Sequence, residues 1–124
     1  MNVVDSSGWL EYVVNGKNSE FFAEPIEYTT NLIVPTISIL EVFKWVLRER
    51  GEADALQTAA IMQQGEVIDL DTAIATRAAK LGLTHKLPLA DSVMLATAQV
   101  FGATLWTQDA HFSGLPGVRF TAKQ

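Results

Sequence analysis

Short apolar runs, each too brief for a helix, alternate along this chain with longer segments of helical period. The runs read as strands over Asn2-Val3-Val4-Asp5, Leu32-Ile33-Val34, Glu66-Val67-Ile68, Ala103 to Trp106, and Val118 to Phe120. They are apolar on both sides, which predicts a parallel sheet with helices on both faces, an α/β sandwich. Crossovers in such sheets are nearly always right-handed, and ligands bind at the carboxyl ends of strands, near a switch in strand order. Whatever follows each strand is therefore the first place to look for function. Asp5 and Asp109 lie at or just beyond two such ends.

Between the strands, Trp9, Leu10, Val13 and Val14 predict a first helix closed by Asn15-Gly16. Ser19 to Tyr28 predicts a second, bent or broken at Pro25. Thr36 to Arg50 is the longest periodic stretch, with Ile37, Leu40, Phe43 and Leu47 as its apolar face and Lys44, Arg48 and Arg50 toward the end where cations suit the helix dipole. Gly51 interrupts it before a helix over Glu52 to Gln64, with Leu56, Ala59 and Ala60 inward. Asp71 or Thr72 caps the next helix, which runs through Leu83 with Ile74, Ala78 and Leu81 on one face, and Thr84-His85-Lys86 is a link. The last helix holds Pro88 in its first turn, where the missing N–H has no intrahelical partner, and stops at Gly102.

A length of 124 residues fits one domain over 1–124 and buries roughly two-thirds of the unfolded surface, so no staples are needed. The absence of cysteine removes disulfide and thiol chemistry and fits a reducing compartment. With no signal-peptide pattern and no apolar run near the roughly 20 residues that span a bilayer, the expectation is a soluble cytoplasmic protein. A net charge of −5 argues mildly against a nucleic-acid binder. That argument weakens if several acids converge on a metal, whose charge cancels theirs.

Asp5, Glu41, Asp91 and Asp109 each have a bland reading. Asp5 can cap the helix after it, and Asp109 can form an Asx turn. Asp91 suits a helix N-terminus. Ser38-Ile39-Leu40-Glu41 matches a capping box, with Ile37 and Val42 as a hydrophobic staple. The competing reading starts that helix at Thr36 and puts Glu41 inside it, where a buried carboxylate would need a cation. The case for function is joint placement. Two carboxylates at about 4 Å repel by about 4 kcal/mol at an effective dielectric of 20, so a converging set protonates in part or binds cations. Carboxylates without a cysteine or histidine cluster predict a hard ion, Mg2+ or Mn2+.

Val3-Val4-Asp5-Ser6-Ser7, Ser38-Ile39-Leu40-Glu41-Val42, Leu87-Pro88-Leu89-Ala90-Asp91 and Leu105-Trp106-Thr107-Gln108-Asp109 with Phe112, in that order and spacing, resemble the PIN-domain ribonucleases. The short whole-chain form resembles their VapC branch, the toxins of toxin–antitoxin pairs. The resemblance implies a three-layer α/β/α sandwich with a five-stranded parallel sheet. It also implies an endoribonuclease dependent on one or two Mg2+ or Mn2+ ions, usually a homodimer, silenced by a cognate antitoxin and cutting RNA such as transfer RNA. Carried over position by position, Asp5, Glu41, Asp91 and Asp109 match the acidic quartet, Thr107 the hydroxyl residue that holds the acids, and Ser6 a hydroxyl beside the first acid.

On this reading a metal lowers the pKa of bound water, and the resulting hydroxide attacks the phosphate. Asp5, Asp91 and Asp109 are the expected direct ligands, with Glu41 binding through water or acting as a base. Lys17, Lys44, Arg48 and Lys86 are candidate phosphate contacts, against the plainer reading of solvated charge. Trp9, Phe43, Trp45 and Trp106 could stack on bases, though core or dimer packing is the plainer reading. His85 and His111 are isolated and are assigned neither to catalysis nor to metal, His111 being the better placed. The alternative is a non-enzymatic binding or regulatory domain, PIN-like or receiver-like. A receiver would want paired acids after the first strand and a lysine after a late one, whereas Ser6-Ser7 and Gln108-Asp109 stand there.

Overall fold

The computed structural model describes residues 1–124. Five strands, β1 (Asn2–Val4), β2 (Leu32–Pro35), β3 (Glu66–Ile68), β4 (Thr104–Thr107) and β5 (Val118–Phe120), form one sheet in the order β3-β2-β1-β4-β5. Every pairing is parallel. The helices are α1 (Ser6–Val13), α2 (Ser19–Glu27), α3 (Thr36–Arg50), α4 (Glu52–Met62), α5 (Thr72–His85) and α6 (Leu89–Val100). This is the α/β sandwich with a five-stranded parallel sheet that the sequence predicts.

Side chains alternate across a strand, and the central strands use both faces. Val4, Leu32, Val34 and Trp106 point into a core with Trp9 of α1, Phe22 and Ile26 of α2, Val42 and Val46 of α3, and Ala55 and Met62 of α4. Their neighbours Val3, Ile33 and Leu105 point the other way, onto Leu95 and Ala98 of α6 and onto Phe112. Helix α5 closes that side through Ile74 and Ala78 against Val93 and Ala96. The edge strand β3 departs from the expectation of two apolar sides, since Glu66 and Val67 are exposed.

Two helices are rotated from the faces their periodicity suggests. In α3 the buried residues are Ser38, Val42 and Val46, while Leu40 is 58% and Leu47 44% exposed. In α4 they are Ala55, Thr58 and Met62, and Leu56 is exposed. Helix α2 runs through Pro25 unbroken. Helix α5 continues to His85 and ends on Lys86 in the left-handed conformation, so Thr84 and His85 belong to the helix and not to a link. Pro88 stands one position before α6 and not inside its first turn.

The strand order reverses between β1 and β4. Successive connections run outward through β2 to β3 on one side and to β5 on the other. The crevice at such a switch point is where open α/β sheets bind ligands. Asp5 follows β1 immediately, and Asp109 lies two residues past β4.

Candidate metal-binding active site

The backbone places Asp5 at the switch point. Its N–H donates to the Trp106 carbonyl at 3.1 Å, extending the β1–β4 ladder by one rung. Its side chain then caps α1, accepting the Gly8 N–H at 2.8 Å on Oδ1. The hydroxyl of Ser7 donates to both carboxylate oxygens, and Thr107 Oγ1 donates to Oδ2 at 2.5 Å. Asp5 is 1% exposed. Burial outweighs these hydrogen bonds and raises its pKa from 3.8 to about 6.

Thr107 also fixes the second strand-end acid. Its Oγ1 accepts the Asp109 N–H at 2.9 Å while donating to Asp5. Asp109 in turn caps a single 3-10 turn, Ala110–Phe112, by accepting the His111 N–H at 3.0 Å. The plain readings of Asp5 as a cap and Asp109 as an Asx-turn residue therefore hold alongside their convergence. A carboxylate accepts several hydrogen bonds, so capping one N–H leaves capacity for other contacts.

Asp91 sits in the first turn of α6, where a negative charge faces unpaired N–H groups. Desolvation, then the charges of Asp109 and Asp5, raise its pKa to about 6, with His111 opposing. Glu41 lies inside α3, which starts at Thr36 without a side-chain cap. The capping box from Ser38 is therefore not formed; Ser38 Oγ is buried without a partner, and Glu41 instead accepts the Ser6 hydroxyl at 2.7 Å.

Asp5, Glu41, Asp91 and Asp109 line one cleft of about 430 Å3 with Ser6, Ser7 and Leu10 from α1 and Leu40, Lys44, Trp45 and Arg48 from α3. No lysine or arginine pairs with any of the four acids; the ion pairs near them involve only His111. Its Nδ1 lies 2.9 Å from Asp109 Oδ1 and 3.5 Å from Asp91 Oδ2. Sequence reasoning left His111 unassigned. The one signal for it was its position two residues past an Asx-turn aspartate, which folds residue i+2 back toward the carboxylate. A donor set of oxygens, rich in negative charge and poor in fixed cations, fits a hard divalent ion.

The remaining candidates separate by location. Lys44 and Arg48 reach the cleft; Lys17 and Lys86 do not line it. Trp9 and Trp106 are buried in the core, and Phe43 packs against it. Trp45, partly buried, is the one aromatic lining the cleft. His85 is exposed at the end of α5 and takes no part in the acidic cluster.

A model of the PIN domain matches residues 3–118. Among solved structures, a toxin–antitoxin complex from Klebsiella pneumoniae superposes with a TM-score of 0.82 at 22% identity, covering 96% of each chain. VapC20 from Mycobacterium tuberculosis, described as a sarcin-ricin loop cleaving toxin, gives 0.78 at 16% identity over 94% of this chain and 95% of its own. FitAcB from Neisseria gonorrhoeae gives 0.72 at 16% identity over 97% and 96%. Compared by sequence with curated proteins, the chain matches none.

Proposed function

The chain belongs to the PIN domain family, and on that premise we propose that it is a metal-dependent endoribonuclease, the VapC-type toxin of a toxin–antitoxin pair. The observation that carries this reading is the convergence of Asp5, Glu41, Asp91 and Asp109 on one open cleft without a lysine or arginine partner. A structural neighbour described as a toxin–antitoxin complex supports an antitoxin as the protein partner. A homodimer in the cytoplasm completes the proposal; no helix is long and apolar enough to cross a membrane.

Asp5, Asp91 and Asp109 are the direct ligands of one or two Mg2+ or Mn2+ ions, which when bound supply Lewis-acid stabilisation of phosphate charge and acidify water. Thr107 is a positioning residue, fixing Asp5 and the Asp109 backbone through one oxygen. Glu41 is tethered by Ser6 alone and is the group placed to accept the proton of the attacking water. The water oxygen bonds to phosphorus as the bond to the leaving sugar oxygen breaks. Incubating bacterial RNA with the protein tests the reading: cleavage with Mg2+ or Mn2+ and none in EDTA is expected. Cleavage undiminished by EDTA, or an inert protein at every metal concentration, overturns it and favours the binding-domain alternative.

Lys44 and Arg48 give the acidic cleft its phosphate contacts. They lie one turn apart on α3, about 6 Å along the axis at about 1.5 Å per residue, and both line the cleft. Replacing both by alanine should raise KM about tenfold or more with kcat within about threefold, because flanking phosphates are held equally in ground and transition states. The dependence of binding on salt should flatten by roughly one phosphate for each cation removed. An unchanged KM and salt slope would remove these two residues from the RNA path.

A further inference from the structure

Resting on the metal-dependent reading above, we infer that His111 is a direct ligand of the ion, through Nδ1, and turns an all-oxygen site into a mixed one that favours Mn2+ over Mg2+.

Three observations support the assignment. The first is spacing. In an octahedron with bonds near 2.1 Å, neighbouring donors are about 3 Å apart and opposite ones about 4.2 Å. His111 Nδ1 lies 2.9 Å from Asp109 Oδ1 and 3.5 Å from Asp91 Oδ2, and the three donor atoms all fall within 4.8 Å of one another. The two distances from Nδ1 fall within the range between adjacent and opposite donors around one ion. The second is anchorage. The His111 N–H is bonded to Asp109 at 3.0 Å, and Phe112, fully buried, pins the turn from beneath. The imidazole is therefore attached to the carboxylate it would share an ion with, at little entropic cost of assembly. The third is composition. Among residues with a potential ligand atom, His111 supplies the only nitrogen beside the acids; the other histidine, His85, is not part of the cluster.

The competing role for His111 is a counter-charge that bridges Asp91 and Asp109 only until an ion displaces it. The two roles differ in one atom-level fact: whether nitrogen remains bonded when metal is present. Imidazole suits transition ions, whereas Mg2+ prefers oxygen, so only the ligand role gives a metal preference.

Pulsed EPR of the protein loaded with Mn2+ decides between them, because electron spin-echo modulation from a coordinated imidazole 14N is separate from any catalytic readout. The expected result is bound Mn2+ with 14N modulation in the native protein, retained in His85→Ala and lost in His111→Ala. Mn2+ affinity should fall about tenfold in His111→Ala while Mg2+ affinity moves less than about threefold. His111 is more than half exposed, so the alanine variant should fold, which circular dichroism verifies. Bound Mn2+ without 14N modulation overturns the ligand assignment and leaves the nuclease reading standing. Failure of the native protein to bind Mn2+ or Mg2+ at all overturns both.

Discussion

Replacing Asp5 by asparagine should abolish cleavage and, in metal-free buffer at pH 8, make the protein more stable. The two effects have one origin. Asp5 is 1% exposed and its pKa is raised to about 6 from 3.8, mainly by desolvation. For a carboxyl whose folded pKa is raised, the native state holds the proton more tightly than the unfolded state does. Stability is therefore full below about pH 4, falls between about 4 and 6, and levels off above. The difference of about two units is worth about 3 kcal/mol. Asp91 shifts in the same direction and adds to the slope. Thermal melts of the native protein in EDTA should accordingly show a lower Tm at pH 8 than at pH 5.

Asparagine can keep the Gly8 and Ser7 hydrogen bonds on its oxygen and turn its amide toward Thr107 Oγ1. It removes the charge and retains most of the cap, so a gain of about 2 kcal/mol at pH 8 is expected, about half of it remaining at pH 5 and little below about pH 4. Cleavage should fall by at least about 10^2 to 10^3-fold, the scale that losing one preorganised electrostatic group costs. Mg2+ or Mn2+ should raise the native Tm at pH 8, by about 2.7 kcal/mol in stability at a hundredfold excess over Kd, and should raise the variant's less. A variant that cleaves like the native protein, or one whose EDTA melts keep the native pH slope, would place the acidity of this cleft elsewhere than Asp5.

The chain order of strands and helices was legible because the period changes from run to run, and both faces of the central strands are apolar. The convergence of the four acids on one cleft was legible only jointly. Asp5 caps α1 and Asp109 caps its 3-10 turn, so each has a sufficient local reason to exist. What periodicity could not show was rotation about a helix axis. Helix α3 is apolar nearly all round, with Ile37, Ile39, Leu40, Val42, Phe43, Trp45, Val46 and Leu47, and offers several stripes at helical spacing. The fold buries Ser38, Val42 and Val46 and turns Leu40 to the mouth of the cleft. That rotation puts Glu41, Lys44 and Arg48 on the cleft side together. In α4 the small residue Ala55 goes inward and Leu56 outward, a choice set by packing against α3 and not by hydrophobicity. His111 was noted as the better placed histidine but left without a role for a different reason: its contact with Asp91, at the start of α6, is made only by the fold.

The second large effect is expected at Phe112, which touches no substrate. It is fully buried with Val3, Ile33, Leu95, Ala98 and Leu105 under the sheet. Phe112→Ala should cost about 3–5 kcal/mol, the usual range for an aromatic removed from a close-packed core. It should also slow cleavage in molecules that remain folded, because the same turn carries His111 and takes its cap from Asp109. Leu95→Ala separates the two consequences. Leu95 shares that core cluster but lies on α6, outside the turn. It should lose a comparable amount, about 2–5 kcal/mol, with cleavage at low temperature nearly intact. Phe112→Leu should fall between, refilling part of the volume and restoring part of the rate. Urea melts give the stabilities, and single-turnover cleavage in the cold gives the rates. If both alanine variants are equally destabilised and cleave equally well, the buried ring is ordinary core and the placement of Asp109 does not depend on it. If Phe112→Ala alone loses rate, the hydrophobic layer under the sheet holds the ligand geometry above it, and packing and chemistry share one residue.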